Sequence, residues 1–159
     1  MPKLYMLIGV PASGKSTWRE QHTDAAVIST DDILEQTAVA SGRTYNEVFK
    51  ENIKFATEIA NARAKHAFAT GEDVIWDQTN ITKKSRKSKL AMVPEHYEKI
   101  AVVFLTPDEA EWQRRLDRPG KSIPQNILMG MRDSMQFPDP EEGFHRIQVV
   151  GGEDDQSAS

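Results

Sequence analysis

Apolar residues along this chain follow two alternating rhythms. Uninterrupted runs of strand length recur at Leu4 to Val10, Ala25 to Ser29, Val74 to Asp77, Ile100 to Leu105 and Ile147 to Val150. Between them the apolar positions shift to a spacing of three to four. Tyr45, Val48, Phe49, Ile53, Ala56, Ile59, Ala60, Ala64, Ala67 and Phe68 keep that spacing up to Gly71, which predicts a helix over most of Thr44 to Thr70, with room for one break. A helix is expected to start near Lys15, another after Asn80, and a last one after Pro124. One more opens at Thr106-Pro107-Asp108-Glu109, where Thr106 would cap, Pro107 would fill the first turn and Glu109 would complete a capping box. Strands alternating with helices predict a three-layer α/β domain over residues 1–150: a parallel five-stranded sheet flanked by helices, with ligands at the carboxyl ends of the strands. The polar, acidic stretch Gly151 to Ser159 reads as a disordered tail.

Composition narrows the class. A chain of 159 residues, 38% hydrophobic and 28% charged, can bury one core and is too short for two ordinary domains. No apolar run is long enough to span a bilayer, and the N-terminus lacks the pattern of a secretory signal, so a cytoplasmic protein with no membrane partner is expected. The absence of cysteine excludes disulfides, thiolate metal sites and cysteine nucleophiles. A net charge of −4 argues against coating nucleic acid by bulk electrostatics, while leaving room for a local basic groove.

The first candidate site is Gly9-Val10-Pro11-Ala12-Ser13-Gly14-Lys15-Ser16-Thr17, which fits G-x-x-x-x-G-K-[S/T] and directly follows an apolar run. This is the phosphate loop of a P-loop fold, with Gly9, Ala12, Ser13, Gly14, Lys15, Ser16 and Thr17 as the expected ATP contacts. Glycines let backbone N–H groups turn toward a polyphosphate, Lys15 reaches the β- and γ-phosphates, and the Ser16 hydroxyl is placed for Mg²⁺.

Two acidic segments follow strands. Ser29-Thr30-Asp31-Asp32 puts two carboxylates where a kinase needs a base for an attacking hydroxyl, although Asp and Thr also favour helix caps. One aspartate could cap while the other faces the pocket. Val74-Ile75-Trp76-Asp77-Gln78-Thr79-Asn80 ends an apolar strand in an acid that resembles a Walker B position, steadying Mg²⁺ directly or through water.

Basic residues form two groups. Lys83, Lys84, Arg86, Lys87 and Lys89 crowd a helix start, which the helix dipole disfavours, so either solvent or an anion must compensate. Arg114, Arg115 and Arg118 are expected near the end of another helix, with Arg114 and Arg118 on one face, as a lid over the nucleotide or as partners of the helix dipole. The histidines are scattered; His66, His96 and His145 read as surface or packing residues.

Taken in order, Gly-Val-Pro-Ala-Ser-Gly-Lys-Ser-Thr-Trp, Ser-Thr-Asp-Asp, Asp-Gln-Thr-Asn with Arg86 downstream, Arg118-Pro-Gly-Lys-Ser-Ile-Pro and Glu142-Gly-Phe resemble the 5′-polynucleotide kinases, the phage enzyme and the kinase domains of RNA-repair proteins. The resemblance spans most of Lys3 to Val150. It implies that Asp31 is the general base and that Arg118 is the lid arginine on the ATP phosphates, with Arg114 beside it. It also implies that Asp32, Asp77, Thr79, Asn80 and Arg86 shape the acceptor side. Members of that family can oligomerise, which leaves a homo-oligomer open. One departure concerns the acceptor: the family usually carries an arginine three residues after the base, clamping the phosphate on the 3′ side of the acceptor nucleotide, and this chain has Leu34 there.

The expected activity is transfer of the γ-phosphate of ATP to the 5′-hydroxyl of a DNA or RNA end, with Lys15, Asp31 and Arg118 catalytic and Ser16 and Asp77 on Mg²⁺. A kinase of a small acceptor, such as a nucleoside, nucleotide or sugar derivative, shares the same architecture, and Leu34 favours it. An ATP-hydrolysing switch is the third reading, and Asp31 argues against it.

Overall fold

A strand buried on both faces has no polar side to alternate with, and β1 (Lys3–Ile8) shows this in its buried run Met6, Leu7, Ile8. A computed structural model describes residues 1–119 and 121–151, and places β1 at the centre of a five-stranded sheet. Around it lie β2 (Ala26–Ile28), β3 (Val74–Asp77), β4 (Glu98–Phe104) and β5 (Arg146–Val150), in the order β2-β3-β1-β4-β5 and all parallel. All five expected strands are present. Their carboxyl ends lie on one edge, so the loops after β1, β2 and β3 converge there.

The helices are α1 (Lys15–Glu20), α2 (Thr30–Ser41), α3 (Tyr45–Thr70), α4 (Lys83–Leu90), α5 (Glu109–Leu116) and α6 (Gln125–Ser134). One sheet face, with Leu4, Met6, Ile8, Trp76 and Val103, packs on α2 and α3. There Ala56, Ala60, Ala64 and Ala67 form a buried stripe of small residues that lets the long helix approach closely. The opposite face carries Leu7, Ile75, Ile100, Val102 and Phe104, with Trp18 of α1 packed against it. Trp18 in turn stacks on His22 at 3.7 Å between ring centroids. A third cluster of Val10, Trp112 and Leu128 seats α5 and α6 beside the loop that leaves β1. Each fully buried aliphatic side chain of this kind contributes roughly 1.5–3 kcal/mol.

Helix ends account for most differences from the sequence reading. α3 runs unbroken from a capping box, in which Thr44 and Glu47 exchange hydrogen bonds, to Gly71 with φ 75°. The α5 cap is Asp108, not Thr106: its carboxylate accepts from the N–H of Glu111, and the helix starts at Glu109. The Ser29-Thr30-Asp31-Asp32 segment, a candidate helix cap in the sequence, opens the twelve-residue helix α2. The expected tail beyond Gly151 lies outside the described residues. Among the described residues, no helix is long and apolar enough to cross a membrane.

Candidate phosphate and acceptor site

The loop after β1 is shaped by what glycine and the backbone permit. The N–H of Gly9 donates to the carbonyl of Thr79 at 2.9 Å, which ties the loop to the end of β3. A side chain at Gly9 has no space, because a Cβ there would stand 2.6 Å from Ser13 Oγ and 2.9 Å from Phe104 Cβ. Ala12 (φ 61°) and Gly14 (φ 108°) take left-handed conformations that turn the chain into α1. Lys15 Nζ reaches back to the carbonyls of Gly9 (3.0 Å) and Gln78 (3.2 Å). Burial lowers its pKa, opposed by the charges of Asp77 and Asp31. Ser13 Oγ is buried without a hydrogen-bond partner, and α1 has neither a side-chain cap nor an acid in its first turn. A loop with unused donors and a positive helix end fits a polyphosphate, and exposed Ser16 and Thr17 face the cleft in the same turn.

The two adjacent aspartates part company. Ser29 caps α2, its Oγ accepting from the N–H of Asp32 at 3.2 Å, so neither aspartate serves as the cap. Asp32 instead receives both guanidinium nitrogens of Arg19, at 3.2 and 2.5 Å, and Arg19 also donates to Asp77 at 2.8 Å. Hydrogen bonding to Asp32 raises the Arg19 pKa further, so the shared cation is permanent. Asp31 lines the same cleft but makes no contact with Arg19. It accepts from Tyr45 Oη at 2.6 Å and pairs with Lys121 Nζ at 3.3 Å. Burial, then the hydrogen bond to Asp31, pushes the Tyr45 hydroxyl well above its usual pKa, so Tyr45 stays a donor.

A second wall comes from the segment after α5. The helix stops at Leu116 with Asp117 extended, so Arg118 leaves it and does not share a helical face with Arg114 as expected. Proline at 119 accounts for this, since the residue before a proline is steered away from helical angles. Arg118 lines the cleft and donates to Glu35 at 3.3 Å; Lys121 also reaches Glu35, at 3.1 Å, and stands 4.4 Å over the Tyr45 ring. Arg114 is corrected as a nucleotide contact: it is 74% exposed, bonded to Glu111 and absent from the cleft wall. Arg115, also paired with Glu111 at 3.3 Å, does line the cleft and reaches the carbonyl of Ala12 at 3.4 Å.

Arg86 is likewise corrected as a direct substrate contact. It is fully buried, forked onto Glu142 at 2.9 and 3.0 Å and donating to the carbonyl of Asn80 at 2.8 Å. Its work is positional: it holds Asn80, whose φ of 48° is sustained by side-chain bonds from Nδ2 to the carbonyl of Leu7 (2.8 Å) and by Lys89 on Oδ1. Asp77, Thr79 and Asn80 line the cleft. His145 accepts from the backbone N–H of Lys99, and His96 packs on Tyr97, in keeping with structural roles.

The cleft encloses about 2240 Å³ and joins the phosphate loop, Asp31, Asp77 and the Arg118 segment in one space. Among the described residues no group of three or more His, Cys, Asp or Glu could hold a metal alone. Ser16 and Asp77 both line the cleft, a hydroxyl and a carboxylate of the kind that hold Mg²⁺ together with substrate phosphates. Sequence reasoning does not single out Arg19, Tyr45 or Lys121, and it reaches Arg115 and Lys89 only as members of basic groups. Arg19 alone carried a local signal, lying one turn after Lys15.

Residues 4–138 match the model of the AAA domain family. Human heterogeneous nuclear ribonucleoprotein U-like protein 2 is 22% identical over 151 residues, covering 86% of this chain and 20% of that protein. The bifunctional polynucleotide phosphatase/kinase of Schizosaccharomyces pombe (strain 972) is 26% identical over 153 residues, covering 93% of this chain and 33% of that protein. The chain thus spans a fifth to a third of the curated relatives it matches. A chain in the solved Pnkp1/Rnl/Hen1 RNA repair complex superposes with a TM-score of 0.66 at 23% identity, covering 90% of this chain and 46% of that one. With its phosphate loop, strand order and matched length, the chain belongs to the AAA domain family, as a nucleotide-binding P-loop domain of kinase-like fold.

Proposed function

We propose that this domain transfers the γ-phosphate of ATP to the 5′-hydroxyl of a DNA or RNA end. The observation that carries the reading is the separation of the two aspartates. Both line the cleft beside the phosphate loop, where a hydroxyl's proton must be taken, but Asp32 is tied to Arg19 while Asp31 keeps clear of that pair and is the more exposed carboxylate. In the proposed reaction Asp31 accepts that proton as the oxygen bonds to the γ-phosphorus, and the bond to the β-phosphate oxygen breaks to release ADP. Lys15 and the loop N–H groups hold the phosphates, and Arg118 leaves Glu35 to meet charge on the transferring group. Mg²⁺, when bound, would neutralise phosphate charge, held by the Ser16 hydroxyl and, through water, by Asp77. Support for a polynucleotide acceptor comes from the relative named as a polynucleotide phosphatase/kinase and from the ordered motifs.

A second reading, a kinase of a small acceptor, has one observation in its favour. Leu34 is fully buried in the core, so α2 offers no cation at the position where the polynucleotide kinases clamp the acceptor. The test is label transfer from γ-labelled ATP with Mg²⁺ to 5′-hydroxyl DNA and RNA oligonucleotides, a nucleoside 3′-monophosphate and a plain nucleoside. Label on the oligonucleotide 5′ end supports the first reading. Label only on a mononucleoside moves the assignment to the second, and free phosphate alone would leave an ATP hydrolase.

A further inference from the structure

The last turn of α4 holds a charge that the proposed transfer does not use. Lys89 stretches along the cleft wall, with its ammonium bonded to Asn80 Oδ1 and 5.9 Å from the centre of the Trp76 ring. Asn80 cannot swing away with it, because its own amide is fixed to the carbonyl of Leu7 and its backbone carbonyl to Arg86. An ammonium has three N–H donors, and Asn80 satisfies one. Among the described residues, no carboxylate lies within ion-pair distance of Lys89.

The charges around it make this conspicuous. Burial brings the Lys89 pKa down to about 8, and Lys15 and Arg86 act in the same direction, with no acid acting against them. Arg86 is neutralised by Glu142, and Lys15 faces the phosphate loop. The neighbouring hydroxyls on this wall are spent: Thr57 donates to Ile53, Ser85 to Thr82 and Ser88 to Ser85, each to a carbonyl of its own helix or cap. Lys89 is the group there with hydrogens to spare.

We propose that Lys89 is the anchor for an anionic group carried by the acceptor, a phosphate in the first instance, so that the wall built by α3 and α4 selects phosphorylated acceptors. A cation partly removed from water and lacking a counter-ion gains more from an anion than a solvated lysine does. The site also supplies from α4 what buried Leu34 cannot supply from α2. The inference rests on the phosphotransferase reading in one respect, that this wall receives the acceptor.

The test reads binding apart from turnover. Protein labelled with ¹³C at lysine Cε is titrated by NMR with a saturating non-hydrolysable ATP analogue and Mg²⁺ present, the Lys89 signal being assigned with Lys89→Met. Adenosine 3′-monophosphate should raise the Lys89 titration midpoint, and adenosine should not. Lys89→Met should weaken binding of the phosphorylated probe by roughly tenfold or more, with Lys89→Arg keeping most of it. Lys89→Arg also removes the lysine signal, so the assignment and the wild-type titration stand even if Lys89→Met does not fold. A Lys89 midpoint that moves fully with the ATP analogue alone would assign the residue to the nucleotide, and equal effects on both probes would remove the phosphate; either overturns the proposal. If no oligonucleotide accepts label yet adenosine 3′-monophosphate still moves Lys89, the polynucleotide reading fails and the anion site stands. If oligonucleotides accept label and Lys89 does not respond, the reverse holds.

Discussion

Asparagine at position 31 and asparagine at position 32 differ by one residue in sequence and should differ by orders of magnitude in effect. Asp31→Asn removes the proposed proton acceptor and keeps the shape. A positioned general base is worth about 10²- to 10⁴-fold in rate, or roughly 2.7–5.4 kcal/mol of barrier at 1.36 kcal/mol per tenfold. Its structural cost is small. Asparagine can still accept from Tyr45, and the lost pair with Lys121 involves a carboxylate 56% exposed, worth at most about 1 kcal/mol. Asp32→Asn reverses the balance. It halves the anionic partnership of Arg19, whose side chain is 23% exposed against 35% for Asp32. With that solvent access the cost falls to about 1–2 kcal/mol, below the roughly 3–5 kcal/mol of breaking a fully buried pair. Single-turnover label transfer at saturating ATP and acceptor, paired with urea titration of each variant, separates the two. Wild-type turnover in Asp31→Asn, or equal slowing in a folded Asp32→Asn, would refute the division of labour.

Further outcomes follow from other contacts. Glu142→Ala strands the buried Arg86 guanidinium, so its urea midpoint should drop by the equivalent of about 3–5 kcal/mol with an unchanged slope. Glu35→Gln removes the acid shared by Arg118 and Lys121 and leaves Lys121 only its pair with Asp31; limited trypsin digestion followed by mass spectrometry should show faster cleavage after Lys121, Pro119 protecting the bond after Arg118, with stability altered by less than about 1 kcal/mol. Gly9→Ala should cost about 1–3 kcal/mol by overpacking and weaken binding of a fluorescent ATP analogue, since the new methyl meets Ser13 and Phe104. Lys89 gives a pH signature: between about pH 8, its folded pKa, and the ordinary value of 10.5 the unfolded chain holds a proton that the folded one has released. Stability therefore gains with rising pH over that window, and Lys89→Met should lose this gain relative to wild type.

The parts legible in the sequence are those where one segment carries its own signal. Five apolar runs announced five strands, and the glycine spacing announced the phosphate loop, because burial on both faces and left-handed turns each leave a local mark. Where two signals overlap, sequence alone does not choose. Thr106-x-x-Glu109 and Asp108-x-x-Glu111 both fit a cap, and only packing of Trp112 beside Val10 selects the second register. Pro119 is the local signal that excludes Arg118 from the helix. The rest is nonlocal. Arg86 and Glu142 stand 56 positions apart, and Lys121 meets Asp31 across 90, so no periodicity joins them.

The arginine shared by Asp32 and Asp77 acts as a ruler. Arg19 lies four residues, about 6 Å of helix rise, beyond Lys15 on the same short helix. Both acids are therefore registered against the lysine of the phosphate loop by the covalent geometry of a single turn, and not by the longer course of α2 and α3. Surfaces on those two helices can change to suit a different acceptor while the distances that govern phosphate handling stay put. One small helix thus fixes Asp32 and Asp77 to the phosphate loop whatever acceptor the cleft receives.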